Sequence, residues 1–330
     1  MRSSRPARLL NRRSPPASSA VKIATLDVGT NTVLLLVAEP APGGGLKSIL
    51  DRARITRLGR EVDRNGNLDL DAFRRTLGTV AEFAGAAIAA GAEKIIAVAT
   101  SALRDASDGA EFIRAVRERA GVELQIISGR EEAELSHLAV LRGLDLEPNS
   151  RLLIVDIGGG STEFIREEPG RELEMTSLQM GSVRLTERII RHDPPSAREI
   201  EELRTTIDHA LADLGWDWRP DTLVGIAGTV TTVCAVALEM DTYDHSRVHG
   251  HVLPRAEVSR VARLFGELPL VERKKLKGLM EGRADVIFAG SMILDRIMEQ
   301  FGATSVIVSD QGVRWGLAWR ETDRMARANF

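Results

Sequence analysis

The sequence predicts an α/β protein of two domains. Apolar, strand-like runs alternate with helical stretches along the chain. A strand ending in Asp-x-Gly, a small polar turn and a second strand occurs twice. The chain's 330 residues, 43% of them hydrophobic, suffice for two cores of ordinary size.

The elements follow in order. VKIATLDV and VLLLVAEP read as two strands around the tight turn DVGTNT, and PGGG at 42–45 marks a second turn. Residues 69–90 are alanine-rich with helical spacing. KIIAVAT (94–100) is a buried strand, SALRDA a loop and 107–120 a helix. VELQIIS (122–128) is a strand and 131–143 a helix. RLLIVD (151–156) is a strand whose GGGST turn leads into EFIRE. Residues 181–191 and 196–214 are helical. TLVGIA (222–227) is a strand, followed by a helix entered through Gly228. A long helix spans 283–302 and stops at glycine, SVIVSD (305–310) is the last strand, and a helix ends the chain. The echo between LDVGTNTVLLLV (26–37) and VDIGGGSTEFI (155–165) points to a duplicated fold with a cleft between the copies.

Composition narrows the function. The net charge of −3 offers no global attraction for a polyanion, so any such substrate needs a local basic patch. Aromatics make up 4%, with Tyr243 the one tyrosine, which is poor material for stacking nucleic-acid bases. No apolar run approaches the roughly 20 residues of a membrane span. A single cysteine, Cys234, excludes an internal disulfide and fits a reducing, cytoplasmic setting. Residues 1–20, with five arginines and no acids, read as a disordered tail rather than a secretory signal.

The turns carry the chemistry. Glycine admits backbone N–H groups close to an anion, and Ser or Thr adds hydroxyl donors. An Asp before such a loop can hold a magnesium-bound water. DVGTNT and DIGGGST therefore read either as two facing phosphate loops or as two ordinary glycine hairpins with an Asp capping each turn. Their candidate phosphate contacts are Gly29, Thr30, Asn31 and Thr32 in the first, and Gly158, Gly159, Gly160, Ser161 and Thr162 in the second. A third loop places Gly228 and Thr229 at a helix N-terminus, a natural anion site or a routine turn. In SGREEAEL, Ser128 reads as an N-cap with Glu131 as its capping-box partner. Glu132 is not needed by the box and is free to act as a general base. Arg104 follows a buried strand and is either a phosphate contact or a solvated arginine. His249 and His251 alternate but lack the context of a metal site. No P-loop and no G-x-S-x-G elbow occurs.

Taken in order, DVGTNT, ATSALRDA, SGREEAEL, IVDIGGGSTE, MGSVRLTE, GIAGTVTT, VHGHVL, RADVIFAG and SDQGVRWG resemble the exopolyphosphatase and guanosine pentaphosphate phosphohydrolase family, over about residues 21–320. The resemblance implies two actin-like domains, of the ribonuclease H-like, sugar-kinase, Hsp70 and actin superfamily, around a deep cleft. Domain I spans 21–128, domain II 129–313, and the helix at about 314–328 is expected to return to domain I. It implies Glu132 as the base that activates water and Glu163 as a second essential carboxylate. It implies Asp27, Asp156 and Glu163 as the holders of Mg2+ or another divalent cation, and Arg104 and Arg283 as arginines that reach the phosphate chain. The implied substrate is inorganic polyphosphate or guanosine pentaphosphate, with no nucleic-acid or membrane partner and a homodimer as the candidate assembly.

Two departures stand out. Leu34 occupies a position where some members carry arginine, and the further helical region of longer members has no counterpart, which points to short substrates and distributive cleavage. Arg52, Arg54, Arg57 and Arg60, with Arg273, Lys274, Lys275 and Lys277, form two basic runs that read as a rail for a polyanion or as solvated charge. A kinase of the same superfamily usually carries an aspartate base where Glu132 stands. A non-catalytic phosphate or nucleotide sensor should lack one of the two carboxylates.

Overall fold

The computed structural model describes residues 21–328; the expected tail at 1–20 lies outside them. The chain runs β1 (Ile23–Val28), β2 (Thr32–Pro40), β3 (Leu46–Ile55), α1 (Val62–Asn65), α2 (Leu70–Ala89), β4 (Lys94–Ala99), α3 (Ser101–Asp105), α4 (Gly109–Ala120), β5 (Leu124–Ile126) and α5 (Gly129–Gly143). It continues through β6 (Leu152–Ile157), β7 (Thr162–Glu167), β8 (Glu174–Leu178), α6 (Ser182–Ile189), α7 (Ala197–Ala212), β9 (Thr222–Ile226), α8 (Ala227–Ala237) and α9 (His245–Val248). β10 (Val252–Pro254), α10 (Arg255–Glu267), α11 (Leu270–Arg273), α12 (Ile287–Gln300), β11 (Ser305–Val308) and α13 (Val313–Ala328) complete it.

Two sheets result, in the orders β3-β2-β1-β4-β5 and β10-β11-β9-β6-β7-β8. Each is built on the same plan. A three-stranded antiparallel meander, β1-β2-β3 or β6-β7-β8, is extended from its first strand by parallel strands, β4 and β5 or β9 and β11. The repeated Asp-x-Gly motif is thus the first hairpin of each copy. β1 and β6 are buried along their whole length, which is why IATLDV and LLIVDI read as nearly unbroken apolar runs.

The first core lies between its sheet and α2 and α4, around Leu26, Val80, Phe83 and Phe112. The second gathers α6, α7, α8, α10 and α12 over β6 and β9, around Phe164, Val233, Phe265 and Ile293. Between the sheets α13 rests on β1, β2 and α5, and α5 rests on β6, β7 and β8. Leu135, Val313 and Leu317 seal that layer against Val98 and Ile127. The C-terminal helix therefore touches both the first sheet and α5.

Several elements differ from the sequence reading. SALRDA, read as a loop, forms the short helix α3. The long helix begins at Ile287, because Glu281–Arg283 forms a separate 3-10 turn ahead of it. β3, β8, β10 and α10 carry no expectation from the sequence. The three strands are sheet edges with mixed burial, so their apolar periodicity is weak.

Candidate active site

The β1–β2 and β6–β7 hairpins face each other across a cavity of about 350 Å3. Its wall includes Asp27, Gly29, Thr30, Asn31 and Thr32 from the first sheet, and Asp156 and Gly158 to Ser161 from the second. Glu132 at the start of α5, Gly228 and Thr229 at the start of α8, and Arg283 also line it. The hairpins nearly touch: a Cβ on Gly160 would lie 3.1 Å from Thr30 Oγ1 and would clash with Ser101 Oγ, so only glycine fits. Ala227, before Gly228, holds a left-handed backbone (φ 67°), uncommon for a residue with a Cβ and a mark of local strain.

Glu132 is 8% exposed. Ser128 caps α5 by accepting from the Glu131 N–H at 3.1 Å, which fixes the turn that projects Glu132. The reciprocal half of the expected capping box is absent, because the Glu131 carboxylate instead accepts from Arg320 of α13 at 2.8 Å. Arg104 Nη1 donates to Glu132 Oε2 at 2.8 Å and to the Ile127 carbonyl at 2.9 Å. Burial, helped by Glu163, raises the Glu132 pKa well above the ordinary carboxyl value, and Arg104 opposes the shift.

Arg104, Thr162 and Glu163 do not line the cavity. Arg104 lies behind Glu132 and braces it. The Thr162 hydroxyl donates to the Met180 carbonyl. Glu163 is the register partner of Asp156 and accepts from Ser177 Oγ at 2.8 Å.

The remaining acids are held under tension. Burial, then repulsion from Asp156, raises Asp27 to about 7 against the pull of Arg314. Burial, then Asp156, raises Glu163 to about 7 despite hydrogen bonds from Ser177 and Ser161. Burial also raises Asp156, although Ser136 Oγ donates to its Oδ2 at 2.7 Å. Asp27 Oδ1 and Glu163 Oε2 are buried without a hydrogen-bond partner. Acceptors left this way are suited to a cation. Among the described residues no three His, Cys, Asp or Glu side chains converge closely enough to ligate an ion by themselves.

Arg283 reaches over the N-terminus of α8. A Cβ on Gly228 would run into its guanidinium, so the close approach requires glycine. Arg283 Nη1 donates to Thr232 Oγ1 at 3.3 Å and its Nε has no partner. Burial disfavours its charge, with Tyr243 opposing the shift.

The basic runs are mostly spent elsewhere. Arg54 is paired with Glu82 and stacks on Phe83 of the first core. Arg273 is buried and donates to the Ala284 and Leu268 carbonyls at 2.8 and 2.9 Å, which corrects its reading as a free surface charge. Lys274, Lys275 and Lys277 pair with Glu281, Glu272 and Asp241.

A further wall of the cavity was not assigned from the sequence. It holds Tyr243, His245, Asp310, Arg314 and Asp51. Arg314 pairs with Asp51 through Nε at 3.1 Å and Nη2 at 3.0 Å. Asp310 accepts from His245 and lies 3.2 Å from His249 Nδ1, while His249 Nε2 meets the Gly143 carbonyl at 2.9 Å. Although burial opposes it, these histidines hold Asp310 well below the usual carboxylate range. The signal available was SDQGVRWG, which contains both Asp310 and Arg314.

Opposed glycine hairpins from two lobes of like topology, with buried carboxylates beside them, define a two-lobed α/β protein with an enzyme-like cleft. The chain belongs to the Ppx/GppA phosphatase family, whose model matches residues 36–325, and is therefore a phosphatase-type hydrolase. It is 32% identical over 317 residues to exopolyphosphatase 2 of Mycobacterium tuberculosis, covering 90% of this chain and 97% of the relative. A solved Ppx/GppA family member from Aquifex aeolicus is 33% identical with a TM-score of 0.77, covering 92% of this chain and 98% of the other. A solved exopolyphosphatase from Cytophaga hutchinsonii has a TM-score of 0.85 over 92% of this chain and 98% of the other; at 24% identity it bears on the fold alone.

Proposed function

We propose that the chain is an exopolyphosphatase that hydrolyses the terminal phosphoanhydride of inorganic polyphosphate and releases orthophosphate. The observation that carries this reading is Glu132, a cavity-wall carboxylate braced from behind by Arg104 and set beside two opposed glycine loops. The names of the mycobacterial relatives support polyphosphate over other phosphoanhydrides.

The residues divide the work. Backbone N–H groups of the two hairpins and of the α8 start offer donors to the equatorial phosphoryl oxygens, with Arg283 as the facing cation. Arg104 occupies Glu132 Oε2, which leaves Oε1 to orient a water and take its proton. Burial, with Glu163 and more weakly Asp156 adding to it, sustains the raised proton affinity of that base. One in-line attack by water, without a covalent phosphoenzyme, is the step these residues serve.

The donor set fits a divalent cation, with Mg2+ the expected one. Asp27 and Asp156, on the cavity wall, would hold it, and Glu163, paired in register with Asp156 but off the wall, would help place it. Such an ion, when bound, neutralises charge on the phosphate oxygens and relieves the repulsion among the carboxylates.

Guanosine pentaphosphate presents the same terminal bond, and Tyr243 and His245 at the far wall give a nucleoside an aromatic surface. Side-by-side hydrolysis of polyphosphate and guanosine pentaphosphate tests the choice. Faster turnover of polyphosphate is expected; cleavage of the nucleotide alone would reverse the assignment. In the same assay Glu132→Gln should lower kcat by at least about 10²-fold while binding is largely kept. Near wild-type turnover would remove Glu132 from its role.

A further inference from the structure

The Arg57 side chain spans from a segment held by the first phosphate hairpin to the turn that carries Arg283. Arg57 follows β3 and adopts a left-handed backbone (φ 56°), unusual for a long side chain. The conformation is held from the hairpin, since the N–H groups of Thr56 and Arg57 both donate to the Asn31 carbonyl, at 2.9 and 3.0 Å. From there the guanidinium spans to the other lobe. Nη2 donates to the Gly282 carbonyl at 3.0 Å and to Asp285 Oδ1 at 2.9 Å, and Nη1 lies 2.8 Å from Asp285 Oδ2.

Gly282 and Asp285 bracket Arg283. Arg283 itself is anchored to its surroundings by one long hydrogen bond, to Thr232, so its aim depends on the turn that bears it. The planar fork of Arg57 fixes both the direction and the distance of that turn, which a point charge would not do.

We propose that Arg57 is a positioning residue, transmitting the placement of the Asn31 loop to Arg283 so that loop and guanidinium grip the same phosphate chain. The assignment rests on the phosphohydrolase reading above. The bridge is open to water, with side chains 35% and 34% exposed, so its contribution lies in geometry more than in stability. A second crossing secures the fold without it. Arg184 of α6, 9% exposed, pairs with Asp63 and Asp105 of the first lobe and donates to the Gly160 carbonyl at 2.7 Å. Loss of the Arg57 bridge should therefore misplace Arg283 without separating the lobes.

The test is a double-mutant cycle in the full chain, measured on whichever phosphoanhydride the wild type cleaves. Arg57→Gln and Asp285→Asn should each lower kcat/KM roughly tenfold, the range expected for coupled neighbours in a precisely held site. Thermal melting should be nearly unchanged. In an Arg283→Gln background the same substitutions should change kcat/KM by less than about twofold, because the residue they position is gone. Equal losses in both backgrounds, or no loss in the wild-type background, would overturn the assignment. If the wild type cleaves neither substrate, the phosphohydrolase reading fails, and the bridge is then read without turnover. Spin labels on cysteines at Arg60 and Glu281, both exposed, report the distance from the Arg57 segment to the turn that bears Arg283, the native Cys234 being buried. A broadened distance distribution in Asp285→Asn supports the bridge as a positioning device, and an unchanged one rejects it.

Discussion

Glu132 owes its chemistry to neighbours that are distant in sequence. Arg104 of α3 orients it through a hydrogen bond, while burial first, then Glu163 of β7 and more weakly Asp156 of β6, raise its proton affinity against the pull of Arg104. The SGREEAEL helix start was enough to single out Glu132 but not to show that Arg104 braces it rather than facing the cavity. The Asp310–His245 contact joins residues 65 positions apart, beyond any local pattern. It has a testable pH signature. The hydrogen bond to Asp310 raises the His245 pKa above its ordinary 6.5, with Asp51 adding to the shift and burial and Arg314 opposing it. A group whose folded pKa exceeds its unfolded value adds stability that is full below the unfolded pKa and is lost as pH rises through the folded one. The difference in melting temperature between wild type and His245→Asn should therefore be largest near pH 6 and shrink at alkaline pH. A difference that grows with pH would refute the pairing.

At the scale of elements, the hairpins and helix starts were legible because their demands are local. Glycine next to a strand end, Ser or Thr after it, and an N-cap before a helix are readable one segment at a time. Arg283 was placed on a helix because RADVIFAG continues a helical pattern, yet the separate 3-10 turn leaves its guanidinium over Gly228. Edge strands such as β3 escaped detection because one side of the pairing is missing and their outward side chains are charged. The cap on α5 links element to function. Ser128→Ala removes the acceptor for the Glu131 N–H and should cost about 1 kcal/mol of stability. It should also lower kcat, by less than Glu132→Gln does, because the first turn that aims Glu132 loosens. Thermal melting and turnover on one preparation check both; unchanged values in each would show that the cap does not steer the base.

For the whole molecule, duplication is what makes the site. Two sheets of one plan each contribute a hairpin with an Asp before its glycine, and α5 and α13 stacked between them bring Glu132 and Arg314 to the same cavity. The echo of LDVGTNT in VDIGGGST was visible in the sequence, whereas the closeness of Gly160 to Thr30 and Ser101 depends on how the lobes meet. If this arrangement directs water to the terminal phosphorus, the oxygen of that water has a fixed destination. Hydrolysis of uniform polyphosphate in 18O-enriched water, stopped early and analysed by mass spectrometry, follows it directly. Attack on the terminal phosphorus places one solvent oxygen in each released orthophosphate and none in the shortened chain. Label in the chain with unlabelled orthophosphate would place the attack on the penultimate phosphorus and contradict the assigned geometry.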